Sequence, residues 1–338
     1  MRGVLLGMLL PSGCVFITDA DQQARADLLA QADTSHTGAV SGDDDDDTTP
    51  SGPTTLPGSY LAVDVGLWAT CAIDDRRQVV CWGDDVESWW PEVPTDLDAF
   101  GISVGLAHGC AWGDTGDTRC FGPAGGSTNN PAPGIVESPT GSFDTVSCAT
   151  TSCCGLDDGS LSCWGTEEGI LPSLGYAPAS PPIGVSIWGG GCVVDDDDGV
   201  DCFSFTGTGG ADPDPPYDTD SDWVEVNDGG WACARRANAT VFGCWEMARS
   251  TGFIQLLDVP GTVDLIDPVA LDNGGQPYVC GLVGGEVACY GVIGFGDAPT
   301  PEAPAGNWAQ LSMQGDVGCV IDAAGAMSCW GEGSARPR

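Results

Sequence analysis

The stretch CGLDDGSLSCWG, residues 154–165, holds the pattern that decides the fold of this 338-residue chain. Its two cysteines lie nine positions apart, and strand-like residues flank a central Asp-Asp-Gly. Asp tolerates turn geometry, and Gly adopts positive φ without steric cost. The stretch therefore predicts a β-hairpin whose two cysteines face each other across the strands.

The same pattern occurs seven times along the chain. In every copy the cysteines lie 9 to 11 positions apart, and an aromatic residue follows the second cysteine. Another strand-like piece lies before most copies, for example at 60–63 or 308–311. The other six copies are CAIDDRRQVVCWG (71–83), CAWGDTGDTRCFG (110–122), CVVDDDDGVDCFS (192–204), CARRANATVFGCWE (233–246), CGLVGGEVACYG (280–291) and CVIDAAGAMSCWG (319–331).

The spacing of the copies indicates the architecture. Successive first cysteines are 39, 44, 38, 41, 47 and 39 residues apart. A period near forty with several short strands per unit is typical of propeller blades. The composition agrees, because 51 glycines and 24 prolines suit many turns. We therefore predict an all-β fold, a seven-bladed β-propeller of antiparallel blades, each with a disulfide-bracketed hairpin.

We expect the two cysteines of each hairpin to form a disulfide. Opposed Cβ atoms on paired strands lie about 4.5–5.5 Å apart, close to disulfide distance. Zinc binding is the alternative, but zinc sites use shorter cysteine spacings than these. The expected pairs are Cys71–Cys81, Cys110–Cys120, Cys154–Cys163, Cys192–Cys202, Cys233–Cys244, Cys280–Cys289 and Cys319–Cys329.

Three of the 17 cysteines fall outside the hairpin pairs. Two of them, Cys148 and Cys153, lie in the third unit, where we expect an additional local disulfide, Cys148–Cys153. A redox-active pair is the alternative, but no basic residue lies nearby in the sequence to stabilise a thiolate. The third is Cys14, near the N-terminus.

The N-terminal segment indicates export. A short apolar run, residues 3–10, precedes LPSGC (10–14), which resembles the lipobox of bacterial lipoprotein signal peptides. The resemblance implies that Cys14 is acylated, so that the protein is an outer-membrane or cell-surface lipoprotein whose only membrane contact is its lipid. A plain secretory signal is the alternative. Seventeen cysteines agree with an oxidising compartment.

Composition along the chain predicts three regions. Residues 1–13 are assigned to the signal peptide, and 14–57 to a disordered acidic tether that contains an aspartate run, 43–47. The propeller is assigned to 58–338. Because the chain ends soon after its last hairpin, we expect the N-terminal strand near Tyr60 to complete the last blade.

The charge excludes some partners. The formal net charge is −39, and all ten bases are arginine. Phosphate backbones and anionic lipid surfaces would be repelled, so we expect no nucleic-acid partner. We expect no cofactor, and calcium binding stays open only at one weak candidate site. The one calcium candidate, Asp218, Asp220 and Asp222, lacks the Gly and Glu of a calcium loop at positions six and twelve.

The units resemble the regulator-of-chromosome-condensation repeat. The resemblance covers about 59–331 and is carried best by GLAHGC (105–110) and DDGSLSCWG (157–165). It implies seven blades and partner-protein binding through one propeller face. Paired cysteines are similar to those of secreted bacterial members. His108 occupies a position where the family often has histidine, which implies a structural role.

Candidate functional residues are few. The chain has two histidines, His36 and His108, and no lysine, so catalytic triads are hard to build and no catalytic residue is assigned. Trp89 and Trp90 are adjacent aromatics in a segment between hairpins, either a recognition patch or a buried pair. We therefore predict a non-enzymatic, envelope-tethered or secreted binding module with a protein or glycan partner.

Two other functions stay open at this point. The abundance of acids permits an extracellular carboxylate-dependent hydrolase or lyase, which a close acid pair in a deep cleft would favour. A purely structural surface protein would need neither a cleft nor a binding face. An enzyme inhibitor of the secreted β-lactamase-inhibitor type, which has a similar fold, is one form that the binding module could take.

Overall fold

The described part of the chain is entirely β in its regular structure, which confirms the all-β prediction. Within it, no helix is long and apolar enough to cross a membrane. The computed structural model describes residues 53–83, 93–105, 108–113, 116–122, 141–149, 152–165, 181–187, 190–195, 200–204, 223–228, 231–236, 241–246, 254–258, 263–269, 278–291, 303–314 and 317–331.

Twenty-three strands in these residues form seven antiparallel sheets. Sheet 1 contains β2 (Tyr60–Val65), β3 (Thr70–Asp74) and β4 (Val79–Trp82). Sheet 2 contains β5 (Ala99–Val104), β6 (Gly109–Gly113) and β7 (Thr118–Phe121). Sheet 3 contains β8 (Thr145–Cys148), β9 (Ser152–Asp157) and β10 (Ser160–Gly165). Sheet 4 contains β11 (Pro182–Ile187), β12 (Gly190–Asp195) and β13 (Val200–Ser204).

The remaining strands form sheets 5 to 7. Sheet 5 contains β14 (Trp223–Asp228), β15 (Trp231–Arg236), β16 (Val241–Glu246) and β17 (Ile254–Asp258). Sheet 6 contains β18 (Val263–Val269), β19 (Tyr278–Val283) and β20 (Glu286–Gly291). Sheet 7 contains β21 (Trp308–Gln314), β22 (Val317–Asp322), β23 (Met327–Trp330) and, from the other end of the chain, β1 (Thr54–Leu56).

The cysteine repeat corresponds to one hairpin in each sheet. In all seven hairpins the strand register places the two repeat cysteines directly opposite each other. Disulfides with Cα–Cα separations of 4.0–4.1 Å join Cys71–Cys81, Cys110–Cys120, Cys148–Cys153, Cys154–Cys163, Cys280–Cys289 and Cys319–Cys329. Cys192 is also disulfide-bonded. The side chains of Cys202, Cys233 and Cys244 lie outside the described part.

The sheets are arranged around a common centre. The first strand of each sheet packs against the first strand of the next, in the order β2, β5, β8, β11, β14, β18 and β21. The last of these, β21, packs back against β2. The first strands are therefore the innermost ones, and the hairpins lie outside them.

The chain closes on itself through β1, which differs from the expectation stated above. The strand that contains Tyr60, β2, belongs to sheet 1, whereas the closing strand lies six residues earlier, at Thr54–Leu56, and pairs with β23. An N-terminal strand therefore completes the last sheet, as expected. Its expected position near Tyr60 was wrong, because each unit needs its own inner strand, which the segment near Tyr60 supplies. Sheet structure thus begins inside the segment assigned to the tether.

Small residues allow the aromatic after the second cysteine to pack across its hairpin. Gly318 lies opposite Trp330, and a side chain there would overlap the indole ring, which is 2% exposed. Gly109 lies opposite Phe121 in the same way, and a Cβ added at Gly109 would lie 3.3 Å from the ring. In these two hairpins, the aromatic residue that ends the repeat therefore packs over a glycine of the opposite strand.

Candidate functional site

A row of polar residues lines the inner strands at one repeat position. In each sheet the residue of the first strand that lies opposite the first hairpin cysteine is polar. We call this set the inner polar row. Its members are Asp64, Ser103, Ser147, Ser186, Asn227, Asp267 and Ser312.

The inner polar row joins neighbouring sheets through a repeated hydrogen bond. The Ser103 hydroxyl accepts from the Cys148 N–H at 3.0 Å, and the Ser147 hydroxyl accepts from the Ile187 N–H at 3.0 Å. In each case the donor belongs to the next sheet and follows that sheet's own row member by one residue. Each such bond satisfies an inner-strand amide that would otherwise be buried without a partner.

The same bond closes the arrangement between sheets 7 and 1. The Ser312 hydroxyl accepts from the Val65 N–H at 2.9 Å, although these residues lie 247 positions apart. The first and last sheets are therefore joined by the same serine-to-amide hydrogen bond that joins sheets adjacent in sequence. In addition, Gln310 Nε2 donates to the Leu61 carbonyl at 2.7 Å.

Asp64 is the row member with the densest set of contacts among those described. Its Oδ2 accepts from the Val104 N–H at 2.6 Å in sheet 2, and its Oδ1 accepts from the Ser312 hydroxyl at 2.8 Å in sheet 7. The Ser103 hydroxyl and the Val65 N–H also hydrogen-bond to this carboxylate. One side chain thus ties three sheets together.

The surroundings of Asp64 change its acidity. Burial raises the pKa of Asp64 from the usual 3.8 to about 6, since burial disfavours the charged form. Hydrogen bonds from Val104 and Ser312 oppose this rise, because they stabilise the carboxylate. The residue keeps a small solvent-accessible area, although protein atoms surround the carboxylate itself.

The contacts of Asp64 favour a structural role over acid catalysis. Both carboxylate oxygens accept hydrogen bonds from protein groups, so neither is left directed at a substrate. The other acidic row position, Asp267, belongs to sheet 6, and sheet 7 lies between it and Asp64. The described side chains of this row, which do not include that of Asp267, therefore give no close acid pair of the kind that glycosidases use.

A second group of chemically reactive side chains lies between sheets 2 and 3. His108 is 2% exposed and precedes β6, and its carbonyl accepts from the Gly105 N–H at 2.7 Å in the turn after β5. Its Nε2 lies 3.1 Å from Cys153 Sγ, which in turn lies 3.4 Å from Cys110 Sγ. We call His108, Cys110, Cys120, Cys148 and Cys153 the sulfur cluster.

The sulfur cluster contains metal-ligand atoms at close range. The ligand atoms of His108, Cys148 and Cys153 lie within 4.8 Å of one another, and all three residues are buried. A metal would need the two sulfurs as thiolates. Because they are bonded to each other, the cluster in this form fits a redox site better than a metal site.

The cluster also corrects one premise drawn from the sequence. A basic group does lie beside the extra cysteines, since the His108 imidazole contacts Cys153 across 45 positions of sequence. The turn between β5 and β6 brings His108 to the neighbouring sheet. The structural role expected for His108 from its repeat position is compatible with its burial.

Some of the acidic residues have a structural role in the hairpin turns. In the hairpin turn of sheet 1, Asp74 Oδ1 accepts from the Arg76 and Gln78 amides at 2.9 and 2.8 Å. In sheet 7, Asp322 Oδ1 accepts from the Ala324 and Ala326 amides at 2.8 and 2.9 Å. Aspartate at this position therefore stabilises the turn, as its local hydrogen bonding predicts.

The other predicted site residues lie outside the described part of the chain. These are the lipidation candidate Cys14, the aromatic pair Trp89 and Trp90, and the calcium candidates Asp218, Asp220 and Asp222. The inner polar row was not predicted from the sequence, although its spacing is visible there. In six of the seven units a polar residue precedes the first cysteine by six or seven positions.

Comparisons with solved structures establish the fold. The CRINKLY WD40 ectodomain of the Arabidopsis thaliana receptor kinase ACR4 is similar, with a TM-score of 0.58, 15% identity and coverage of 83% of this chain and 99% of that chain. Prp20p of Saccharomyces cerevisiae gives a TM-score of 0.53 and 13% identity, with 81% of this chain and 82% of that chain covered. The fold is a β-propeller.

A third similar structure is a β-propeller domain by its own description. It is Cps50 (Swd1) of Myceliophteria thermophila, with a TM-score of 0.52, 9% identity and coverage of 83% of this chain and 99% of that chain. No protein-family profile and no curated protein sequence matches the chain. At these identities the propeller is a shared scaffold, and function must be argued from sites.

Proposed function

We propose that this chain is an exported, non-enzymatic binding protein with a protein partner, built on a seven-bladed β-propeller. The observation that carries the proposal is the closed set of sheets around a common centre, in which β21 packs on β2. Hydrogen bonds join sheets 1 and 2, 2 and 3, 3 and 4, and 7 and 1. Such a scaffold holds its surface loops in fixed positions, which is how propellers present binding sites.

The similar propellers support a protein partner. The Prp20p structure was reported with that protein's binding properties to Gsp1p and histones, and yeast RCC1 (Prp20), with a TM-score of 0.52, was solved bound to Kap60. The net charge is −39, so a partner of this chain would meet a negatively charged surface. Proteins that bind nucleic acid use surfaces of the opposite, positive sign. A glycan is the competing ligand class.

The contacts of the described acidic site support a non-enzymatic function. Asp64, a carboxylate that a hydrolase could use, is committed to hydrogen bonds inside the fold. A carboxylate-dependent hydrolase remains the alternative that the experiment must distinguish. A purely structural surface protein would give neither binding nor turnover.

We further propose that Cys14 carries the lipid that tethers the protein to the bacterial envelope, with residues 15–53 as the spacer. Within the propeller, Trp89 and Trp90 are the proposed contact residues. They follow β4, the outer strand of sheet 1, and two adjacent indoles supply the large apolar contact area that binding hot spots use.

The test is affinity capture with the oxidised chain immobilised, using envelope and secreted material of the source organism, with and without calcium. A saturable protein that is lost on W89A/W90A would support the module and locate its contact face. The matched control is Leu67→Ser, because Leu67 is 38% exposed in the turn after β2 and reports general apolar adhesion. Glycan capture would change the partner class, and turnover of a polysaccharide without capture would favour the hydrolase.

A further inference from the structure

The Cys148–Cys153 disulfide lies at a junction of two sheets with unusual neighbours. Cys153 Sγ is bonded to Cys148, contacts the His108 imidazole at 3.1 Å and contacts Cys110 Sγ at 3.4 Å. Cys110 is itself bonded to Cys120 in sheet 2. The sulfur of Cys153 therefore touches both a second disulfide and a basic group.

We propose that Cys148–Cys153 is a thiol-exchange site, which small thiols open at Cys148 and which releases a thiolate at Cys153. A disulfide opens faster when its leaving thiolate is stabilised, and a neighbouring histidinium is one of the groups that lowers a cysteine pKa. His108 touches the leaving sulfur and is the catalytic residue of this step. The site does not rest on the binding function proposed above.

The burial of the two sulfurs sets the direction of attack. Cys148 retains 6% of its surface, whereas Cys153 is fully buried. In the first step a small-molecule thiolate attacks Cys148 Sγ and forms a mixed disulfide there. The Cys148–Cys153 bond breaks, and its electron pair stays on Cys153 Sγ, beside His108.

A second step follows from the contact with sheet 2. The Cys153 thiolate attacks Cys110 Sγ, forms a Cys110–Cys153 bond and breaks the Cys110–Cys120 bond, whose electron pair leaves on Cys120. The step consumes no oxidant or reductant, because one disulfide is exchanged for another. Its product links sheets 2 and 3 covalently and leaves one new thiol in the outer strand β7.

The same molecule contains an internal control. Cys154–Cys163 is the hairpin disulfide of sheet 3, and Cys154 follows Cys153 directly in sequence. General loosening of sheet 3 would open both disulfides, whereas the proposed chemistry opens only one of them. The ratio of the two opening rates therefore separates exchange from unfolding.

The experiment treats the oxidised full-length protein with reduced glutathione, stops the reaction with acid and N-ethylmaleimide, and maps disulfides by mass spectrometry over time. We expect glutathione on Cys148 and opening of Cys148–Cys153 roughly tenfold faster than Cys154–Cys163. Peptides that join Cys110 to Cys153, with labelled Cys120, should follow. Equal opening rates for the two disulfides would overturn the proposal.

Two variants test the role of each group. His108→Gln should slow the opening of Cys148–Cys153 roughly tenfold without changing the rate at Cys154–Cys163, since only the leaving thiolate is affected. If the variant is misfolded, both rates rise together, and C110S/C120S then serves as the second variant, because it removes the acceptor of the second step and keeps Cys148 and Cys153. Glutathione on Cys148 should still form in that variant, and Cys153 should be labelled by N-ethylmaleimide. Failure to recover a labelled Cys153 together with glutathione on Cys148 would contradict the assignment.

Discussion

The Asp64 carboxylate of sheet 1 accepts a 2.6 Å hydrogen bond from the backbone N–H of Val104 in sheet 2. The same carboxylate accepts from Ser312 in sheet 7, so one acidic group lies at the joint of the first, second and last sheets. Serine occupies the corresponding row position in four other sheets, and asparagine in one. Neutral hydrogen-bonding groups therefore suit this position, and aspartate adds a charge whose burial is unfavourable.

The raised pKa of Asp64 predicts a pH-dependent stability. Between pH 3.8 and about 6 the folded state binds more protons at this group than the unfolded state, so stability falls as pH rises through this window. At neutral pH the free energy of unfolding is lower by about 3 kcal/mol than at a pH below 3.8 on account of this group. Asp64→Asn should remove this slope, as measured by urea unfolding from pH 4 to 7. Asp98→Asn, whose side chain is 71% exposed, should leave it unchanged. Parallel curves for wild type and D64N would contradict the prediction.

The close approach of two inner strands at a glycine gives a second prediction. A Cβ at Gly105 would overlap the carbonyl oxygen of Ala149, because the two chain segments meet at the inner ends of sheets 2 and 3. Gly105→Ala should destabilise the fold by about 2–3 kcal/mol, as overpacked sites do. Gly184→Ala is the matched control, since a Cβ added at Gly184 would lie 4.0 Å from the nearest atom, the Cβ of Val194. Thermal unfolding of the two variants measures the difference, and similar midpoints would refute close approach at Gly105.

The closing strand gives a third prediction. Leu56 is 7% exposed and packs with Tyr60 and Met327 in the core between sheets 7 and 1. Leu56→Ala should cost at least about 2 kcal/mol of unfolding free energy, because it leaves a cavity. Leu67→Ala, at an exposed leucine, should change stability by less than about 0.5 kcal/mol. If both variants unfold at the wild-type midpoint, β1 does not close the structure.

The hairpin disulfides give a fourth prediction. Non-reducing peptide mapping should link Cys71 to Cys81 and so on to Cys319 with Cys329, each within one hairpin. Replacing Cys319 and Cys329 by serine should lower the unfolding free energy by about 2–3 kcal/mol, according to the chain-entropy treatment of a loop this short. Bridges between different hairpins in the untreated protein would rule out the predicted framework.

The lipid proposed at Cys14 gives a fifth prediction. In a bacterial host the mature protein should begin at Cys14 and carry acyl chains, which intact-mass measurement and detergent partitioning detect. Cys14→Ser should release the protein from the membrane fraction while the propeller remains folded. A mature chain that retains an unmodified Cys14, or begins elsewhere, would favour the plain secretory signal.

The repeat in the sequence was sufficient to predict the hairpins. Paired cysteines, turn residues and a terminal aromatic specify local structure, and local structure follows from local sequence. The period near forty then indicated propeller blades. These features succeed because each hairpin is short and the same interactions recur in every unit.

Contacts between sheets could not be predicted in the same way. The hydrogen bond from Val65 to Ser312 and the contact of His108 with Cys153 join residues 247 and 45 positions apart, and neither has a local signature. β1 was assigned to the tether because three residues, Thr-Thr-Leu, carry little periodicity. The inner polar row had a visible spacing, but its role becomes clear only when the sheets are placed side by side.

The pairing of β1 with β23 has a consequence for the order of events during biosynthesis. The described hairpin disulfides span only nine or ten positions, so each needs only its own short segment of chain to form. The partner of β1, by contrast, is β23, which comes after every other described strand in the chain. Hairpins can therefore form one after another as the chain is made, whereas β1 and the side of sheet 1 that faces sheet 7 have no partner until β23 and its sheet are present.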